Sequence, residues 1–145
     1  MSKNLHSEDT TLQVDINEAT LAVKEKRFAN ALSILEINIS KYPDHIDSLY
    51  LAAVSARYLK KYEESRSYIE SLLINAPNMG RAYQELGHLN KAINNIDDAI
   101  GNYIQACELN PALLGSWNSL HNLFTSKNNH QAAEHALEQI NKLKK

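Results

Sequence analysis

Six histidines, one cysteine and a few paired carboxylates are the side chains of this 145-residue chain most suited to chemistry. Their spacing argues against it. His130 and His135 stand five apart, so on a helix they do not share a face as a zinc pair at i, i+4 would. With His6, His45 and His121 they read as surface histidines, and no metal site is expected. A single cysteine, Cys107, excludes both an intramolecular disulfide and a CxxC motif. It lies in a mainly apolar column with Ile39 and Leu73 and reads as a packed core thiol. Asp97-Asp98 and Glu63-Glu64 fall at expected helix starts, where they complement the helix dipole. No nucleophile-elbow, phosphate-loop or dinucleotide pattern is present. The expectation is a non-enzymatic chain with no catalytic residues and no cofactor.

The bulk charge narrows the partners. Fifteen basic and 17 acidic side chains give a formal net charge of −2. Such a balance gives no electrostatic reason to expect nucleic acid or an anionic membrane. Tyr50, Tyr58, Tyr62, Tyr68, Tyr83 and Tyr103 therefore read as packing residues rather than a base-stacking platform. The opening residues Met1 to Asp9 lack the apolar stretch of a signal peptide. No segment approaches the roughly 18–20 apolar residues of a membrane span. A cytoplasmic location is expected.

The elements that must position any binding residues announce themselves through proline. Pro43, Pro77 and Pro111 are spaced by 34 and 34 residues. Proline is costly inside a helix and common just beyond its end, so equal spacings indicate one unit used repeatedly. Other columns keep the same step. Ala19, Ala53 and Gly87 are small, with His121 breaking the column; Ala31, Ser65, Ala99 and Ala133 are all small. Leu35, Ile69, Tyr103 and Leu137 are large and apolar; so are Phe28, Tyr62 and Ile96. Each unit reads as two short helices, over 12–25, 28–41, 46–59, 62–75, 80–93, 96–109, 114–127 and 130–143. Within a hairpin the helices approach closely only where facing side chains are small, and the large columns fill the adjoining hollows. One hairpin cannot bury its own apolar stripe, so hairpins must stack. Residues 1–11 read as a polar, flexible tail, and 12–145 as one domain with units near 12–45, 46–79, 80–113 and 114–145. Thr10 with Gln13 resembles a capping box, and Asp44 and Asn78 are placed as N-caps of the third and fifth helices.

These columns resemble the tetratricopeptide repeat (TPR) family. The third unit carries the pattern best, with Tyr83, Leu86-Gly87, Ala99, Tyr103, Ala106 and Pro111; the fourth supplies Trp117, Leu120, Phe124 and Ala133. The resemblance implies an all-α fold, a right-handed superhelix of about four helix-turn-helix hairpins. Asn90 departs from the pattern where a large apolar residue is usual, and His121 where Gly or Ala is usual. A narrower resemblance, through Tyr83 to His88 and Asn110 to Leu113 with Ser116-Trp117, is to the N-terminal repeat arms of bacterial TPR-containing sulfotransferases.

In the family the first helix of each hairpin lines a concave groove. The resemblance then implies a peptide groove formed by Lys24, Tyr50, Val54, Arg57, Arg81, Gln84, His88, Lys91, Asn118 and Asn122, with Ile16, Thr20 and Glu85 beside them. Its charged members favour the basic side, so an acidic or polar peptide is the expected partner. Arg57 and Arg81 are suited to bidentate carboxylate pairing, and the two asparagines to a peptide backbone. His88 would make binding pH-sensitive. The two-carboxylate clamp of chaperone-tail receptors is not expected, because Ile16 and Thr20 stand at its first-unit places and Glu85 at a basic one. The leading expectation is a protein-interaction module. A recognition or dimerisation arm of a larger enzyme, and a self-assembly module joined through open repeat ends, are the alternatives.

Overall fold

The computed structural model describes the backbone of residues 2–145 and the side chains of residues 11–145. The described residues form eight α-helices and no strand: α1 (Ser2–Lys24), α2 (Phe28–Lys41), α3 (Ile46–Tyr58), α4 (Tyr62–Asn75), α5 (Gly80–Ala92), α6 (Ile96–Leu109), α7 (Leu114–Ser126) and α8 (His130–Leu143). They pair in sequence as α1–α2, α3–α4, α5–α6 and α7–α8. The chain divides into two units, one ending at Pro77 and one running from Asn78 to Lys145. In the first, α2 also packs on α3; in the second, α6 packs on α7.

Each hairpin closes through the same turn. Lys26, Lys60, Asn94 and Asn128 have φ of 61°, 64°, 67° and 60°. Each sits just past the first helix of its hairpin, in the left-handed region that ends helices in a Schellman motif. The next amide reaches back five residues to a helix carbonyl, as Arg27 N–H does to Ala22 O at 2.7 Å and Lys61 N–H to Ala56 O at 2.8 Å. Asn95 N–H to Asn90 O and Asn129 N–H to Phe124 O complete the set at 2.8 and 2.9 Å. The reversal thus satisfies carbonyls that the helix end would leave unpaired. The prolines do the other stop: Pro43, Pro77 and Pro111 each follow the C-cap of a second helix, at Tyr42, Ala76 and Asn110.

The small columns are buried as the spacing requires. Ala19, Ala31, Ala53, Ser65 and Ala99 are fully buried, and Ala133 is nearly so. Ser65 Oγ donates to the Ala53 carbonyl at 2.8 Å, so the hydroxyl at the contact is satisfied across the hairpin. Gly87 is required by a close approach. A Cβ there would lie 2.8 Å from the Tyr103 ring, which is itself fully buried. Ile16, Ala19, Ala22, Ala31, Leu32, Leu35, Ala52 and Ala56 form the core of the first unit. Ala99, Tyr103, Cys107, Leu120 and Ala136 form that of the second. Each fully buried large side chain contributes roughly 1.5–3 kcal/mol of transfer free energy.

Four expectations are corrected. The helix expected from residue 12 begins at Ser2, so the tail read over 1–11 is helical backbone from that residue on. The capping box read at Thr10 and Gln13 lies inside this helix; the Thr10 side chain falls outside the described ones, and Gln13 Nε2 donates to Asn17 Oδ1 at 3.1 Å. The N-caps of α3 and α5 are His45 and Met79, one residue later than Asp44 and Asn78. At His45 the ring does the capping, Nδ1 accepting from Ser48 N–H at 3.2 Å. Leu137 shares a column with buried Leu35, Ile69 and Tyr103 but is 41% exposed, because α8 packs chiefly on α7.

Two substitutions test these devices. Replacing Lys60 by Gly removes the cost of a Cβ in the left-handed region and is expected to stabilise the fold by about 0.5–1 kcal/mol. Replacing Gly87 by Ala improves helix propensity but drives a methyl into the Tyr103 ring, for a net destabilisation of about 1–2 kcal/mol. Urea-unfolding midpoints measure both, and the two shifts should have opposite signs.

Candidate peptide-binding surface

In the first unit the expected groove residues fall on α1 and α3. Tyr50, Val54 and Arg57, at i, i+4 and i+7, share one face of α3. Tyr50 is half-buried, but Val54 is only 9% exposed and belongs to the core. The Arg57 guanidinium lies over the Tyr58 ring, 4.5 Å from its centroid. Tyr58 in turn stacks on Phe28, centroids 4.3 Å apart and planes 2° from parallel. A half-buried cation resting on two stacked rings keeps its donors in a narrow range of positions. Lys24 is exposed at the last turn of α1. Ile16 is a core residue at 7% exposure, and Thr20 spends its hydroxyl on the Ile16 carbonyl at 2.7 Å.

In the second unit Arg81, Gln84, His88 and Lys91 form one stripe along α5. The outer members, Arg81 and Lys91, are exposed; the inner two are half-buried and held by hydrogen bonds. Gln84 Oε1 accepts from Ser116 Oγ at 2.7 Å, which ties α5 to the first turn of α7. Gly115 permits this contact, since a Cβ there would come within 3.2 Å of the same oxygen. His88 Nδ1 lies 2.6 Å from the Tyr103 hydroxyl, with the rings edge to face. Glu85, expected beside the groove, is buried at 2% exposure. Asn118 and Asn122 are exposed on one face of α7.

Sequence columns missed the polar contacts that hold the hairpins. Asn90, placed where an apolar residue is usual, is buried and donates from Nδ2 to Asn102 Oδ1 at 2.7 Å. His121, at a small-residue position, is half-buried with Nδ1 3.0 Å from the Ala133 carbonyl. A carbonyl only accepts, so this nitrogen carries the proton. For Asn90 the available signal was Asn102 twelve residues on; His121 bonds a main-chain carbonyl, which leaves no trace in the sequence.

Among the described residues no group of three or more His, Cys, Asp or Glu side chains could hold a metal ion. Burial pushes the Cys107 thiol up to about 12, away from the thiolate a nucleophile needs. No described helix is long and apolar enough to cross a membrane.

Comparison with known proteins agrees with the hairpins. Tetratricopeptide repeat models match residues 47–78 and 78–113. Among solved structures, TTC0263, a thermophilic TPR protein of Thermus thermophilus, superposes with a TM-score of 0.80 at 17% identity, over 91% of this chain and 74% of that one. MamA from Desulfovibrio magneticus RS-1, residues 41 to its end, gives 0.77 at 17% identity over 92% and 75%. The first TPR domain of Spaghetti (RPAP3), bound to the HSP90 peptide SRMEEVD, gives 0.72 at 17% identity over 81% and 93%. No curated protein sequence matches the chain significantly. The narrower likeness to sulfotransferase arms finds no support among these matches. The second and third hairpins thus match tetratricopeptide repeat models over residues 47–113, and the chain shares the fold of these solved structures.

Proposed function

We propose that the chain is a non-catalytic protein-interaction module that holds an acidic or polar segment of a partner against the first helices of its hairpins. The observation that carries this reading is the stripe on α5. Exposed Arg81 and Lys91 flank Gln84 and His88, which are already fixed by Ser116 and Tyr103. A surface ordered before binding loses little conformational freedom when a ligand arrives. In the same unit Asn118 and Asn122 offer donors and acceptors to a peptide backbone, and in the first unit, taken by itself, Lys24 and Arg57 are the basic groups on α1 and α3. The same fold in the RPAP3 domain holds an acidic peptide, which supports peptide binding as the kind of task, although at 17% identity it does not identify the partner. A two-carboxylate clamp is not part of the proposal. Ile16 is in the core and Glu85 is buried, so those places offer a carboxylate ligand no cation.

Reversing two charges tests the proposal. Arg57→Glu with Arg81→Glu should weaken capture of a partner recovered with the native protein by about tenfold or more, since a hydrogen bond to a charged group is worth roughly 1.5–3 kcal/mol. Circular dichroism should show unchanged helicity. Undiminished capture by the double variant would refute the assignment of this surface.

A further inference from the structure

The second unit contains an apolar cleft of about 340 Å³ formed by α6, α7 and α8. Trp117, Leu120 and Phe124, at i, i+3 and i+7 on α7, line it from one helix. Ile104 and Cys107 contribute from α6, and Ala132 and Ala136 from α8. Two alanines at successive turns of α8 leave the volume that larger side chains would fill. The Trp117 ring is fixed at both ends: Nε1–H donates to the Pro111 carbonyl at 2.9 Å, and the ring meets His135 edge-on with centroids 5.7 Å apart. Such a volume is at the low end for ligand sites, and it suits one aromatic or branched side chain.

The one charged residue of the lining is acidic. Glu108 and His135 are its polar members, and both are exposed. The flanking α6 has Asp97, Asp98 and Glu108 and no Lys or Arg. On α8, Glu134 and Glu138 outnumber Lys142. One acidic group is already engaged, since Lys127 Nζ lies 2.7 Å from Asp97 Oδ1. The two helices keep a net acidic charge, and Glu108 is the carboxylate that stands at the cleft itself. The cleft is also separate from the surface proposed above. At roughly 100° per residue, Asn118 and Asn122 point away from the Trp117–Leu120–Phe124 stripe, on the far side of the same helix.

We propose that this cleft is a second docking site, which takes an apolar anchor side chain from a basic segment of a partner protein. The anchor enters between Ile104 and Ala132 onto Trp117, and a Lys or Arg beside it meets Glu108, within the net acidic field of α6 and α8. A central desolvated anchor with a charged rim is the arrangement in which few residues carry most of the binding energy.

Trp117 is the only tryptophan, so its emission reports this site alone. Three short synthetic helices serve as probes: a Lys-rich one with a central Phe, the same with Ala for Phe, and a Glu-rich one with Phe. The Lys–Phe helix should change Trp117 emission saturably. The Ala version should bind about tenfold more weakly or worse, and the Glu-rich helix should give no change. Ala132→Leu fills the cleft and should abolish the response. Glu108→Lys, on an exposed position, should weaken it several-fold without altering the melting temperature, and it decides the matter if Ala132→Leu fails to fold. Absence of a saturable change, equal response to all three helices, or full retention in Glu108→Lys overturns the proposal. So does an emission change that tracks protein concentration alone, which would put a second copy in the cleft.

Discussion

The closest approach of two helices within each hairpin is the constraint on which the rest of the fold depends. It recurs at pairs of positions twelve apart: Ala19 with Ala31, Ala53 with Ser65, Gly87 with Ala99, and His121 with Ala133. Each pair meets the constraint differently. The first uses two methyl groups, both fully buried. The second adds a hydroxyl and satisfies it on the opposing carbonyl. The third removes the side chain from one helix so that the Tyr103 ring can lie against its backbone. The fourth accepts a ring and anchors it by a hydrogen bond running from the first helix to the second, the reverse of the Ser65 bond. A buried polar group is tolerated at such a contact when its partner lies directly across from it.

The period of the chain is written twice, once in side-chain size and once in backbone conformation. The size columns were legible, because small and large residues alternate with a 34-residue step and prolines mark the second-helix ends. Seven of the eight helices start where that reading placed them, and the ends agree to within one residue. The left-handed turn at Lys26, Lys60, Asn94 and Asn128 keeps the same step. Only the asparagines hinted at it, since Asn tolerates this region and Lys does not favour it. At Lys26 and Lys60 the backbone geometry is imposed by the hairpin, and the five-residue hydrogen bond offsets its local cost.

The start of the chain and the binding surface were less legible, for different reasons. Residues 2–10 offer no apolar period, so a pattern-based reading ends the first helix where the stripe ends, whereas the backbone continues the helix. On the surface, a helical wheel gives direction but not depth. It placed Val54 and Glu85 beside the exposed Arg81 and Lys91, yet both are buried, because burial depends on what a neighbouring helix covers. The role of Gln84 and His88 as fixed points between two exposed cations needed the partners Ser116 and Tyr103, which lie 32 and 15 residues away.

Those fixed points also set the orientation of α7. On α7, Ser116 bonds Gln84 of α5, and Leu120 packs with Tyr103 and Ala136 of the flanking second helices. The helix is thereby held from both sides. Its exposed asparagines stay with the basic stripe of α5, and its aromatic residues stay with the acidic helices α6 and α8. The charge difference between the faces follows from the same division. In this unit the first helices carry Arg81 and Lys91 against a single buried carboxylate, while the second helices carry most of the acidic side chains. In this unit the charges are divided by helix, a division that the total of −2 for the whole chain conceals.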